Sequence, residues 1–152
     1  GKNIAIISEA GCPGIADPGQ VLVYEAQKMN AEIKPLVGPS SILLALMASG
    51  FNGQHFSFHG YLPIDNLERI KKLKQLEEES SRKKCTQIFI ETPYRNNKML
   101  ETILEHCYPD THLCIASEIT SPKEFIKTKN IKEWKDKKPD LHKKPVIFLL
   151  MT

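Results

Sequence analysis

The sequence predicts an α/β protein of two parts, residues 1–52 and residues 53–152. Three features predict this. Short continuous apolar runs of strand length alternate with longer stretches whose apolar residues recur at helical spacing. A Gly/Pro loop follows each of the first two runs, and Ser49-Gly50-Phe51-Asn52-Gly53 breaks the chain as an interdomain hinge would.

In order, Ile4–Ser8 reads as a buried parallel strand and Ser8–Gly19 as a loop with three Gly and two Pro. Gln20–Asn30 reads as a helix through the stripe Val21, Leu22, Tyr24, Glu25 and Met29, and Glu32–Val37 as the next strand. Parallel pairing with a crossover helix is the default for such a unit. Two strands and one helix do not make an independently stable sheet. The expectation is therefore a borrowed sheet partner or further residues upstream of Gly1. After Val37-Gly38-Pro39, Ser40 is placed to cap a helix over Ile42–Ala48 that is nearly all apolar and should be buried on most sides.

The second half opens on the strand-like Phe56–Tyr61, then an amphipathic helix over Asp65–Ser80 with Leu67, Ile70, Leu73 and Leu76 as its apolar stripe. Thr86–Glu91 reads as a strand, Tyr94–Cys107 as a helix and His112–Glu118 as a strand. Glu124–Thr128 reads as a further strand, Ile131–Lys135 as a short helix and Val146–Met151 as a last apolar strand. Strands and helices do not alternate strictly, as in an α/β sheet with an antiparallel member.

Composition narrows the class. With 152 residues, 41% of them hydrophobic, and 8 Gly, 10 Pro and 4 Cys, the chain is neither a disordered tail nor a collagen-like repeat nor a disulfide-stapled miniprotein. No apolar run approaches the roughly 18 residues of a membrane span, and Gly1-Lys2-Asn3 opens on no secretion-type segment. A cytoplasmic protein is expected. The net charge of +3 is uneven: residues 1–64 hold three Lys against four acids, and Lys123–Lys144 holds nine Lys against four acids. Such a segment suits a polyanionic partner or a solvated lysine-rich surface. Cys12, Cys85, Cys107 and Cys114 have no zinc-like spacing, and His55 and His59 fall on a strand where they need not share a face, so no metal is expected.

Candidate chemistry lies in the loops. In parallel α/β sheets ligands collect beyond the carboxyl ends of the strands, where Gly-rich loops let backbone N–H groups approach them. The first loop carries Glu9 and Asp17, and the second carries Ser40 and Ser41 at a helix start, which suits polar or anionic groups. Neither loop is a nucleotide-phosphate fingerprint. In the second half, Glu91 and Arg95 fall at the end of one strand and Glu118 at the end of another. Carboxylates so placed are helix caps or ion-pair partners, or, facing one cleft, an acid/base or hydroxyl-orienting pair.

The order of these motifs resembles the tetrapyrrole (corrin/porphyrin) methylase family. Ser8-Glu9-Ala10-Gly11-Cys12-Pro13-Gly14-Ile15-Ala16-Asp17-Pro18-Gly19 is similar to the family's S-D-A-G-T-P-x-I-S-D-P-G loop. Val37-Gly38-Pro39-Ser40-Ser41 followed by Ala48-Ser49-Gly50-Phe51 resembles its P-G-P-S/C-A…A-S/A-G-L segment. Phe58-His59-Gly60-Tyr61-Leu62-Pro63 resembles F-x-G-F-L-P, Ile88–Arg95 resembles L-I-F-Y-E-S-P-H-R, and Ala116–Thr120 resembles A-R-E-L-T. The match runs in order along essentially the whole chain and is nearest to the family's ribosomal RNA branch.

The resemblance implies a tetrapyrrole-methylase-like two-domain α/β fold, S-adenosylmethionine held between the domains, and a homodimer. It places cofactor contacts on Ala10, Gly11, Cys12, Ile15, Ser40 and Ser41 in the first domain, and near Ile90, Ser117 and Val146 in the second, largely through backbone groups. It also implies that the family's opening strand and first cofactor loop precede residue 1, so that this chain by itself is inactive. Cys12 stands where the tetrapyrrole-modifying members have Asp and the ribosomal branch Thr, and Ser117 replaces that branch's Arg.

The activity implied is methyl transfer from S-adenosylmethionine to a ribose 2′-hydroxyl of ribosomal RNA. The protein's main task in such a displacement is positioning the acceptor. Glu91 or Glu118 is the candidate for sharing the hydroxyl proton, and Arg95 for holding a phosphate. The alternatives are a tetrapyrrole C-methyltransferase on the same fold and a non-catalytic RNA-binding module using the C-terminal lysines.

Overall fold

The computed structural model describes residues 2–152, so Gly1 of the opening tripeptide lies outside the described residues. The chain divides between Ser41 and Ile42 into two compact bodies.

Among its described residues the first body contains one regular element, helix α1 (Gln20–Lys28). The strands expected over Ile4–Ser8 and Glu32–Val37 are not formed: no ladder pairs any of this body's described residues. The side chains that were to fill a sheet face are in solvent, with Ile4 81%, Ile7 87% and Leu36 89% exposed. Helix α1 buries none of its residues. One short helix beside two strands removes too little apolar surface from water to offset the ordering of the backbone.

The second body is built on a five-stranded sheet. Its strands are β1 (Phe56–Tyr61), β2 (Thr86–Ile90), β3 (His112–Ser117), β4 (Phe125–Asn130) and β5 (Val146–Met151), in spatial order β1-β2-β5-β3-β4. Only β1 and β2 are parallel; β5 runs antiparallel to both its neighbours, β2 and β3, and β4 antiparallel to β3. The sheet is therefore more antiparallel than the single reversed member expected. The last strand, the most continuously apolar, takes the centre, where both faces are covered.

Side-chain alternation sends each strand's residues to two different layers. One layer holds α2 (Ser41–Ser49), whose Ile42, Ala45 and Leu46 pack on Ile88, Cys114, Ala116, Ile147 and Leu149. The Thr128 hydroxyl donates to the Ser49 carbonyl at 2.7 Å and ties edge strand β4 to this helix. These contacts bring α2 into the second body, ahead of the 52/53 boundary read from the sequence. On the other face α3 (Asn66–Lys83), α4 (Asn96–His106) and α5 (Ile131–Asp136) cover the larger core around Phe89, Phe148, Leu113, Ile115 and Trp134. The paired residues Phe89 and Phe148 stack with ring centroids 5.7 Å apart, a geometry that aromatic pairs favour.

Local chemistry sets the helix ends. The Asp65 carboxylate accepts from the Glu68 N–H to start α3, and Lys84, in a left-handed conformation, ends it. Asn130 and Glu133 form a reciprocal capping box that starts α5 as soon as β4 ends. Buried Glu77 accepts from the Tyr108 N–H at 2.8 Å and the Thr111 hydroxyl at 2.7 Å, fixing the turn between α4 and β3. No helix among the described residues is long and apolar enough to cross a membrane.

Candidate functional site

In the first body the two Gly/Pro loops meet. The Cys12 thiol donates to the carbonyls of Gly38 (3.5 Å) and Pro39 (3.3 Å), so the loop after Ile7 is pinned to the loop before Ser40. Gly11 takes φ +79° and Gly14 φ +77°, conformations that side chains disfavour, and the chain turns there with bare backbone. An open groove beside them is lined by Ile7, Ser8, Glu9, Ala10, Asp17 and Pro18. Of the first-body candidates, Ala10 thus lines the groove, Gly11 and Cys12 form the loop junction, Ile15 is exposed, and Ser40 and Ser41 sit where α2 begins.

In the second body the strand directions gather a second set of candidates at one end of the sheet. The carboxyl ends of β1, β2 and β3 lie together with the start of β5, and Ile90 pairs with Ile147 as Ser117 pairs with Val146. Ile90, Ser117 and Val146, singled out across more than fifty residues of sequence, therefore occupy neighbouring positions on adjacent strands. The Ser117 hydroxyl is buried and has no hydrogen-bond partner among the described residues. So does Oδ1 of Asn96, whose Nδ2 donates to the Lys144 carbonyl at 2.7 Å. A buried polar atom without a partner is uncommon in a native fold, and at a strand end it is suited to a ligand group.

Glu91 and Arg95 form a tight pair at this end. One carboxylate oxygen of Glu91 accepts from the Thr92 N–H (2.6 Å), Arg95 Nε (3.1 Å) and Arg95 Nη2 (2.7 Å). The Glu91 side chain is 1% exposed and that of Arg95 36%, so the buried carboxylate holds a guanidinium whose outer edge reaches water. Glu118 lies two strands away, at about 10 Å by strand spacing. Its backbone is left-handed (φ +52°), its N–H donates to the Pro145 carbonyl, and its carboxylate is half-buried with no partner among the described residues. The two carboxylates therefore differ in situation: Glu91 is engaged and Glu118 is free.

A further cluster at this end is not apparent from the sequence. Tyr94, 71% exposed, meets the His142 ring edge-on at 6.0 Å, with Lys143 Nζ 5.8 Å from the tyrosine centroid. The Lys143 N–H donates to the Pro93 carbonyl at 3.0 Å and joins the two segments. Tyr94 stood inside a motif and Lys143 inside a basic stretch, but nothing in either segment marks the other as its neighbour. The histidines weighed as a metal pair are otherwise engaged: His55 with the Lys83 carbonyl and His59 with the Gln87 side chain. No group of three metal-ligating side chains comes together among the described residues.

The family model for Tetrapyrrole (Corrin/Porphyrin) Methylases matches residues 1–135. The chain belongs to this family. Among curated relatives, the Ribosomal RNA small subunit methyltransferase I of Buchnera aphidicola subsp. Schizaphis graminum is 36% identical over 99% of this chain and 53% of its own length. The protein of the same name from Bacillus subtilis is 38% identical over 84% of this chain and 42% of its own. The chain spans about half the length of the curated relatives it matches. Two solved structures share the fold. The methyltransferase CobJ aligns with a TM-score of 0.59 at 21% identity over 93% of this chain and 62% of its own. The uroporphyrin-III C-methyl transferase from Thermus thermophilus, complexed with S-adenyl homocysteine, aligns with a TM-score of 0.52 at 15% identity over 93% and 62%. The α/β class and the family expected from the motifs are thus found.

Proposed function

We propose that this chain is part of an S-adenosylmethionine-dependent methyltransferase that modifies ribosomal RNA at a ribose 2′-hydroxyl. The observation that carries the reading is the 36% identity to a ribosomal RNA small subunit methyltransferase I over 99% of the chain. The residues fit the cofactor: bare backbone at Gly14 faces open space and leaves room for close approach, and the unpartnered Ser117 hydroxyl offers a hydrogen bond to a polar group. On this reading Ala10, Gly11, Cys12, Ile15, Ser40 and Ser41 bind it from the first body, and Ile90, Ser117 and Val146 from the second. On the same reading residues 1–52 are the C-terminal part of the family's N-terminal domain, and residues 53–152 its C-terminal domain. A homodimer belongs to the same proposal, with sedimentation velocity as its check.

When bound, S-adenosylmethionine would supply an electrophilic methyl group, which passes from its sulfonium to the acceptor oxygen as the carbon–sulfur bond breaks and S-adenosylhomocysteine leaves. The chain's own residues position that oxygen and handle its proton. Glu118, uncommitted at the end of β3, is the group placed to accept the proton. Glu91 is a positioning residue: it orients Arg95, whose remaining N–H groups are presented to a phosphate of the acceptor. Calorimetric titration of S-adenosylhomocysteine into the full chain tests the reading. Saturable binding that weakens in Ser117→Ala supports it, and binding to neither this chain nor a protein of the relatives' full length overturns it. The tetrapyrrole-acting structures are the basis of a second reading, C-methylation of a porphyrinoid. Their 15–21% identity supports the shared fold, whereas the ribosomal relatives reach 38%.

A further inference from the structure

The Tyr94–His142–Lys143 cluster lies at the same sheet end as Glu91, Arg95 and Ser117 and has no part in the methyl-transfer roles assigned above. Three observations set it apart from ordinary surface. Tyr94 is 71% exposed although it leads into a helix whose next residue, Asn96, is fully buried two positions on, so the ring is held outward by a rigid base. Lys143 takes a left-handed backbone (φ +59°), a conformation that non-glycine residues rarely adopt, and its N–H is tied to the Pro93 carbonyl. That strained turn brings an imidazole to 6.0 Å and an ammonium to 5.8 Å of the tyrosine ring, with the Arg95 guanidinium on the adjoining residue. Strain of this kind persists where the surrounding structure fixes it and gathers at functional positions.

A solvent-facing aromatic ring with an ammonium beside it and a guanidinium on the next residue matches the two parts of a nucleic-acid strand, a base with a π-face and a phosphate beside it. An acidic peptide would use the cations and leave the ring idle. We infer that Tyr94, with His142, Lys143 and Arg95 around it, is a platform on which a base of a single RNA strand stacks while its phosphates meet the cations, and that it holds the acceptor strand at the mouth of the site. This rests on the reading of the acceptor as RNA. It adds a surface that names how the strand is gripped, beside the site where the methyl group is received. The lysine on the strained turn is the phosphate partner, and the tyrosine the base partner.

The test is fluorescence anisotropy of a labelled oligouridylate, and of an abasic ribose-phosphate strand of equal length, on the full chain. Loss of a stacking aromatic weakens single-strand binding by about 5- to 150-fold. Tyr94→Ala is expected to lose that much for oligouridylate and little for the abasic strand, while Tyr94→Trp retains the parent affinity. Lys143→Gln is expected to weaken both strands and lower the slope of log affinity against log salt by about 0.7. Because Tyr94 is exposed, thermal melting of its variants should match the parent, and Lys143→Gln provides an independent arm. Equal affinity of Tyr94→Ala and parent for oligouridylate overturns the inference, as does an equal loss on both strands or no binding of oligouridylate by the parent. S-adenosylhomocysteine titration of the same proteins keeps the two readings apart. Its failure both here and with a protein of the relatives' full length, with an intact Tyr94 effect, removes the methyltransferase reading and leaves the platform.

Discussion

Replacing Glu91 by alanine removes the single acceptor shared by three donors, the Thr92 N–H and two nitrogens of Arg95. Hydrogen bonds to a charged group contribute about 1.5–3 kcal/mol each and are not additive when they share an oxygen. Thr92 is left with a half-buried N–H, whereas Arg95, 36% exposed, regains hydration, so its share must be discounted for solvent screening. The net loss is about 2–3 kcal/mol. For a chain of this length each kcal/mol moves the melting temperature by about 2–4 °C, so the second body should melt about 4–12 °C lower. The sole tryptophan, Trp134, is buried in that body and reports its unfolding by fluorescence. Glu91→Gln keeps an acceptor for Thr92 but loses the charge, and should cost about half as much. A double-mutant cycle with Arg95→Gln should give a coupling near 1 kcal/mol. Melting of Glu91→Ala within about 1 °C of the parent would refute the assignment of Glu91 as an anchor. It would restore Glu91 beside Glu118 as a candidate base.

Four further outcomes follow from the same geometry. Ser117→Ala removes a buried hydroxyl that has no partner, so stability should hold or rise while S-adenosylhomocysteine affinity falls by about 2- to 13-fold, as calorimetry and melting together will show. Burial pushes the Cys107 thiol well above its ordinary range and raises that of Cys114, and Cys85 is also buried. Thiol titration should find only Cys12 reacting quickly in the native chain and all four in denaturant. The Asn97 side chain, then the His142 N–H, hold the Asp140 carboxyl below its ordinary value. Its contribution to stability is present above the ordinary carboxylate range and is lost as pH falls through the lowered value, and Asn97→Ala should raise that value in an NMR titration. Phe148→Ala opens a cavity at the centre of the sheet, where the side chain is fully buried against Phe89, and should cost about 3–5 kcal/mol in chemical denaturation.

The elements of the second body were legible because each carries its own local signal. The stripe Leu67, Ile70, Leu73 and Leu76 marks α3, although Leu67 in its first turn stays exposed, and the unbroken apolar run Val146–Met151 marks a strand covered on both faces. Their arrangement was less so. That β5 inserts between β2 and β3 is a matter of long-range pairing, on which the pattern within each strand is silent. The first body shows the same limit from the other side. Ile4–Ile7 has the composition of a strand, yet a strand is completed by its neighbour's N–H and C=O groups, and none pairs with it here.

The candidate site divides in the same way. Ile90, Ser117 and Val146 were named through the family resemblance, and the register sets them at neighbouring positions on adjacent strands. The junction through Cys12 could not be anticipated, because the residue that departs from the family pattern is the one whose thiol reaches the second loop. Tyr94 and His142 meet only because Lys143 turns left-handed against Pro93, and backbone hand at a lysine leaves no mark in sequence.

The most direct measurement of the central proposal is methyl transfer from labelled S-adenosylmethionine to small-subunit ribosomal RNA by a protein of the relatives' full length, followed by nucleoside analysis. The account predicts label in a 2′-O-methylated nucleoside, with turnover reduced in Glu118→Gln and RNA affinity reduced in Arg95→Gln. Label in a porphyrinoid with none in RNA would contradict it.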